Sequence, residues 1–299
     1  MNRKLVQHGE STLMLSLPAH WLREKGLKKG DALELVEQDG ALVLRQQSGE
    51  AKPAFLDARN LGTMLIRILA VHLKHYDQVE IVLNPDQVKA VQDELSKHWP
   101  GFEIIGIKDN KYTIKSINET SIDAFDSIFR KSLMVMTTFA EETCELITKK
   151  QYGKLPELLV LEATIDKLWN YSARLINKWG YPAKPSRSNY IYMLAWKWEK
   201  LGDEIKFICK KFSNKKNPKL GNESVELLKE ATVYIRSCTE LFVNYKPETA
   251  AELSQKRKEI LDRLVAFEGT KDEHALIHHL TNIVEFSFNC VGCWIGTVY

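Results

Sequence analysis

Residues 1–47 alternate between apolar and polar positions in a way that is typical of a small β-rich unit. The segment 13–17 reads LMLSL and ends at Pro18, which cannot continue a central strand. Gly26 ends a short helical stretch, and Asp39-Gly40 is a hairpin signal. The predicted elements are a strand at 13–17, a helix at 19–25, and strands at 33–36 and 42–44. A unit this small rarely supports its own core, so we expect it to dimerise.

Residues 48–54 are predicted to be a linker, because the stretch 46–53, QQSGEAKP, is polar and contains Gly and Pro. Residues 55–117 then alternate between helical and extended patterns, which predicts a small α+β module. Its predicted elements are helices at 61–76 and 84–99, a strand at 79–83, and a hairpin of 102–107 and 112–117 around Asp109-Asn110. The module contains no phosphate-binding loop and no recognisable catalytic motif.

From residue 120 to 299 the apolar positions follow a helical period. Thr120-Ser121-Ile122-Asp123 resembles a capping box at the start. The predicted helices are at 121–150, 155–179, 187–212, 222–245, 248–268 and 272–297. Three helices followed by three more suggest a duplication, with repeats at about 121–212 and 222–297. Short connections favour an all-α bundle of antiparallel neighbours. The chain as a whole is therefore expected to be a mixed, multi-domain protein.

Composition narrows the class of protein. Hydrophobic residues make up 44% and charged residues 27% of the 299, with a formal net charge of +3, so a folded globular chain is expected. Five scattered cysteines do not suggest a disulfide framework. The longest late uncharged run, 286–299, is shorter than the roughly 20 residues that a membrane-spanning helix needs. We therefore expect a cytoplasmic protein without a membrane span.

Charge is segregated within the β-rich unit. Residues 1–29 carry six Lys and Arg against two Glu, whereas residues 30–50 carry one Arg against five acids. Clustered cations of this kind are what contacts with DNA phosphates require, even when total charge is near zero. A mixed, solvated surface is the alternative that this pattern leaves open.

The same unit resembles the SpoVT-AbrB (AbrB/MazE-like) family. The resemblance lies in Arg3-Lys4-Leu5-Val6, Gly9, Leu13 to Pro18, Trp21-Leu22-Arg23, Gly26-Leu27 and Gly30-Asp31. It implies a swapped-hairpin dimer that presents basic side chains to duplex DNA, here Arg3, Lys4 and Arg23. Glu10-Ser11 departs from the family, whose bacterial members often carry Arg after the first-loop Gly. Family members also serve as dimerisation or antitoxin modules.

Two pairs of carboxylates stand out in the predicted bundle. Glu162 and Asp166 lie in its second helix, and Glu199 and Asp203 in its third. A spacing of four places each pair on one helix face, and adjacent antiparallel helices can bring the pairs together. Four carboxylates repel one another unless a cation neutralises them, and oxygen ligands suit Mg, Ca, Mn or iron. A solvated acidic face is the alternative.

The segment 198–205, WEKLGDEI, resembles the PhoU signature, and the resemblance extends over about 120–299. It implies a duplicated three-helix bundle that binds a divalent or trivalent metal ion (Fe, Mn, Zn or Mg) through Glu162, Asp166, Glu199 and Asp203. It also implies a role in phosphate uptake. An AbrB-like unit ahead of a PhoU-like bundle is similar to archaeal phosphate-uptake regulators.

The second half of the bundle departs from the PhoU pattern. Its matching positions are Lys258, Asp262, Thr281 and Glu285, so a cation and a hydroxyl replace two acids. Two acids beside a lysine bind a cation poorly, and we expect a single metal site, in the first half.

Two functions follow from these expectations. The first is a homodimeric, DNA-binding transcriptional regulator of phosphate homeostasis with a metal-binding bundle. The second is a PhoU-like adaptor that contacts a phosphate ABC transporter ATPase or a related signalling protein and uses the AbrB-like unit only to dimerise. An enzyme is not expected, because the sequence has no nucleophile elbow, Walker loop or HExxH helix.

Overall fold

The computed structural model describes residues 2–38, 41–46, 53–117, 121–215 and 218–299. The chain forms two units, Met1–Glu50 and Ala51–Tyr299. A small N-terminal β region is followed by a largely helical part, as the sequence predicts. The predicted turn at Asp39-Gly40, most of the linker and Thr120 lie outside the described residues.

The first unit consists of two antiparallel hairpins and one short helix. Its strands are β1 (Val6–His8), β2 (Thr12–Met14), β3 (Leu33–Gln38) and β4 (Ala41–Gln46), and its helix is α1 (Ala19–Glu24). β1 pairs with β2, and β3 pairs with β4. The sequence pattern does not predict β1, and it extends the next strand to residue 17. The ladder ends at Met14 because its partner, Val6, is the first residue of β1.

The first unit buries no side chain among those whose exposure is described. Its exposed large apolar side chains are Leu5, Val6, Leu13, Met14, Leu15, Leu35 and Leu42. Exposed apolar surface of this kind is unfavourable in water. The described residues of this unit therefore do not form a core.

The second unit begins with an α+β module. It contains β5 (Ala54–Asp57), α2 (Leu65–His75), β6 (Gln78–Val82), α3 (Val88–His98), β7 (Phe102–Lys108) and β8 (Lys111–Ser116). The sheet order is β5-β6-β8-β7; β5 runs parallel to β6, and the other pairs are antiparallel. Asp109 and Asn110 have φ of 51° and 60°, as a two-residue hairpin turn requires. The sequence pattern does not predict β5.

One face of this sheet forms the core of the module with its helices. Leu69 and Leu73 of α2 and Val79, Ile81 and Ile114 of the sheet are completely buried. The β6 side chains alternate between buried and half-buried positions, as expected for a strand with one covered face.

Six α-helices follow between residues 121 and 299 of the described chain. They are α4 (Phe125–Thr148), α5 (Leu159–Trp179), α6 (Ser188–Ser213), α7 (Asn222–Val243), α8 (Pro247–Val265) and α9 (Lys271–Val298). Each begins and ends within a few residues of its prediction. Pro156 and Pro185 lie in short 3-10 turns before α5 and α6, and Thr270 and Glu273 form a capping box on α9.

The two sets of three helices share one core. α5 packs against α4 and α6, while α6 packs against α9 and α4 against α7, so the halves interlock. Trp198, Phe242 and Trp294 meet at this junction, where Phe242 contacts both tryptophan rings. Within the described ranges, every helix is too short or too polar to span a lipid bilayer.

Candidate functional site

The packing of α5 against α6 brings the two carboxylate pairs of the first half into one cluster, as the sequence predicts. Glu162 is 8% exposed, and the side chains of Asp166 and Asp203 are 17% and 18% exposed. Glu199 is more accessible, at 31%. We call these four residues the carboxylate cluster. Partial burial makes uncompensated charge costly here, so the identity of the compensating cations matters.

Lysines of α6 neutralise most of the carboxylate cluster. Lys206 Nζ donates to Glu162 Oε1 at 2.5 Å and also bonds to Asp203 Oδ1. Lys200 Nζ donates to Asp203 Oδ2 at 2.7 Å and to Glu199 Oε1 at 3.2 Å. Burial opposes ionisation of Asp203, but its bonds to the two lysines outweigh that effect and lower its pKa. Burial alone would lower the pKa of Lys206, but its hydrogen bonds to Asp203 and Glu162 outweigh that effect and raise it.

Asp166 is the acid of the cluster that neither lysine of α6 bonds. Burial, together with repulsion from Glu162 and Glu199, raises its pKa to about 8. Its Oδ1 atom is buried and has no hydrogen-bond partner among the described residues. Asp166 therefore occupies the least compensated position in the cluster.

The α+β module supplies the groups that face Asp166. His98, the last residue of α3, places Nε2 3.9 Å from Asp166 Oδ2, and its Nδ1 lies 3.0 Å from Glu94 Oε2. The bond to Glu94 raises the pKa of His98 despite burial. Lys74 of α2 lies near Glu199 and Asp166. Burial lowers the pKa of Lys74, and the charges of these two carboxylates oppose that effect. The cluster is therefore shared between the bundle and the module.

Four basic side chains of this site are not predicted from the sequence: Lys74, His98, Lys200 and Lys206. Lys206 follows Asp203 by three residues and therefore shares its helix face, a signal that the sequence contains. Lys74 and His98 come from a separate part of the chain, and no local pattern links them to α5.

A metal ion does not fit the carboxylate cluster as it stands, because the Lys206 ammonium takes the point between Glu162 and Asp203 that an ion bridging both helices needs. Across the described residues, no group of three or more His, Cys, Asp or Glu side chains is placed to hold a metal. Binding of Fe, Mn, Zn or Mg by Glu162, Asp166, Glu199 and Asp203 stays a prediction.

The matching positions of the second half have different surroundings. Lys258 and Asp262 are exposed on α8. Glu285 of α9 accepts three hydrogen bonds from Arg257 of α8, and Thr281 donates to the Ile277 carbonyl at 2.9 Å. Glu285 is thus paired with an arginine rather than with a second acid.

The three predicted DNA-contacting cations are solvent-exposed. Arg3 and Lys4 precede β1, and Arg23 lies in the last turn of α1. None of them forms an ion pair with a described residue. Between β1 and β2 the chain turns at Gly9, which has a φ of +72° and whose carbonyl accepts from the Gln7 side chain at 3.2 Å. The exposed cations and the exposed apolar side chains belong to the same unit.

A protein-family model described as antidote-toxin recognition MazE, bacterial antitoxin, matches residues 6–52. Neither a curated protein nor a solved structure matches the chain. The match confirms the predicted AbrB/MazE-like unit at the N-terminus, which is a regulatory, DNA-binding type of fold. The match does not reach the bundle, whose PhoU-like character stays a prediction.

Proposed function

We propose that the chain is a homodimeric, non-enzymatic regulator that binds duplex DNA through its N-terminal unit. The observation that carries this proposal is the AbrB/MazE-like unit with exposed apolar side chains and no buried ones among those described. A second copy of the same unit is the partner that the family resemblance implies. Pairing would cover residues such as Leu13, Leu35 and Leu42 and supply the missing core.

Dimerisation also doubles the basic surface. Each copy contributes Arg3, Lys4 and Arg23, which are exposed and form no ion pair with a described residue. The acidic residues concentrate in 30–50, away from these cations in sequence. Because phosphate contacts depend on local cation density, a dimer would bind DNA more strongly than a single copy.

We further propose that the regulated process is phosphate uptake and that the protein acts in the cytoplasm. Support comes from the PhoU-like segment 198–205 and from the arrangement of two sets of three helices around a shared core. The carboxylate motifs also lie on neighbouring helices of the first set, where the PhoU resemblance expects them. The adaptor function, with a phosphate ABC transporter ATPase as partner, is the alternative.

Binding to the protein's own promoter tests the proposal. Wild type should shift a promoter duplex at low salt, and log Kd should depend steeply on log salt. Replacing Arg3, Lys4 and Arg23 by alanine should reduce that slope by about 0.9 for each DNA phosphate that the variant no longer neutralises. The matched control replaces Lys149, Lys150 and Lys154, three exposed lysines of the bundle, and should leave the slope unchanged.

The outcome also separates the two functions. A dimer that shows no shift at low salt would refute DNA binding and favour the adaptor, which should then be captured by the transporter ATPase. Equal losses in the two triple variants would mean that net charge, rather than the N-terminal unit, determines binding.

A further inference from the structure

The position of Lys206 resembles that of a bridging metal ion. Its Nζ atom bonds one carboxylate from each helix, Glu162 of α5 at 2.5 Å and Asp203 of α6. A divalent cation that joined the two motifs would bridge the same two helices through the same oxygens. The ammonium and an ion therefore compete for one position.

The remaining charge of the cluster is also compensated by the chain. Lys200 bonds Glu199 and Asp203, and Lys74 of the module lies near Glu199 and Asp166. Four carboxylates thus face three lysines, with His98 beside Asp166. Little negative charge is left for a divalent cation to neutralise, which removes the main driving force for binding one.

Displacement of Lys206 would itself be costly. Its side chain is 18% exposed and lies on the same face of α6 as Asp203, three residues earlier. An incoming ion would repel the ammonium, which would remain half-buried without its carboxylate partners. A partly buried, unpaired charge is strongly unfavourable.

We propose that Lys206 is the resident cation of the carboxylate cluster and that it keeps divalent metals out. The cluster is then a metal-independent joint between α5, α6 and the α+β module. Lys206 decides which cation the site holds, and its removal should convert the site into one that binds metal. This inference concerns the carboxylate cluster and does not depend on DNA binding.

Titration with Mn²⁺ tests the proposal on the full-length chain freed of metal with EDTA. Lys206→Gln should bind Mn²⁺ about tenfold or more tightly than wild type in calorimetry, because Glu162 and Asp203 lose their only shared cation among the described residues. Its melting temperature should be lower than that of wild type without metal and should rise with Mn²⁺. Lys206→Arg keeps the charge and should behave as wild type.

The control is Lys229→Gln, since Lys229 also pairs with an acid three residues away, Glu226, but on an exposed surface. It should gain no Mn²⁺ affinity. Equal Mn²⁺ affinities of wild type and Lys206→Gln would overturn the proposal, and so would a Lys206→Gln variant that does not respond to Mn²⁺. If that variant folds poorly, refolding with Mn²⁺ should restore it; failure to do so also counts against the proposal.

Discussion

Arg174 fixes the α+β module to the bundle, and its replacement by alanine should destabilise that interface. Arg174 belongs to α5 and is 3% exposed. One guanidinium nitrogen donates to the carbonyls of Leu73 and Tyr76, at 2.7 and 2.8 Å, at the end of α2. The other bonds the carboxylate of Asp77, and the guanidinium lies 4.6 Å from the centroid of the Phe102 ring.

The expected destabilisation follows from what each partner can do without Arg174. The Leu73 carbonyl is buried, and leaving it unsatisfied costs about 1 to 3 kcal/mol. The Tyr76 carbonyl is only partly buried, so leaving it without a partner costs less free energy. Asp77 is 43% exposed, so water and Lys178 can replace the guanidinium. Because the guanidinium also packs on Phe102, we expect Arg174→Ala to lower the free energy of unfolding by about 3 kcal/mol.

Urea unfolding followed by circular dichroism measures this decrease, and hydrogen exchange at residues 73–77 localises it. Lys178→Ala is the matched control, because Lys178 is 35% exposed and bonds the exposed carboxylate of Asp77, at 2.9 Å. Lys178→Ala should lower the free energy of unfolding by about 0 to 1 kcal/mol. Arg174→Lys should recover part of the stability, since lysine keeps the charge but not the planar fork. Equal effects of Arg174→Ala and Lys178→Ala would refute the reasoning.

Two further predictions concern the dimer and the carboxylate cluster. Deletion of residues 1–50 should lower the oligomeric state measured by light scattering, because the exposed apolar side chains of that unit supply the dimer interface; an unchanged oligomeric state would place the interface elsewhere. The pKa of Asp166 is raised from 3.8 to about 8, so its contribution to stability is complete below pH 4 and is lost as pH rises through 8. Asp166→Asn should remove this decline, which has a slope of at most about 1.4 kcal/mol per pH unit, and thermal melts at pH 5 to 9 would show it. Parallel curves for the two proteins would contradict the assignment.

Local pattern is sufficient to locate most elements of this chain. Helices such as α4 and α9 contain many turns of apolar periodicity, and α9 begins at a capping box of Thr270 and Glu273. β1 and β5 are missed because they have only three and four residues, too few to establish an alternation. Their existence depends on pairing with β2 and β6, which is a tertiary property.

For the carboxylate cluster, too, the sequence pattern predicts the acids but not all of their partners. Spacing places Glu162 with Asp166 and Glu199 with Asp203, and short connections make α5 and α6 neighbours. The basic side chains that bind these acids are harder to predict from the sequence. Lys206 is detectable only if the helix face is read for positive as well as negative charge, and His98 only once the module is docked.

The two sets of contacts between module and bundle lie on one helix. Asp166 and Arg174 are eight residues apart on α5, a little over two turns, and both face the module. Arg174 of the bundle binds Asp77 of the module. In return, the module places Lys74 and His98 beside Asp166 of the bundle. Each side of the described interface thus supplies partners to the other, while Asp166 Oδ1 and Arg174 Nε are buried without a hydrogen-bond partner among the described residues. A change of cation in the cluster must therefore alter the electrostatic free energy of docking as well as that of the cluster.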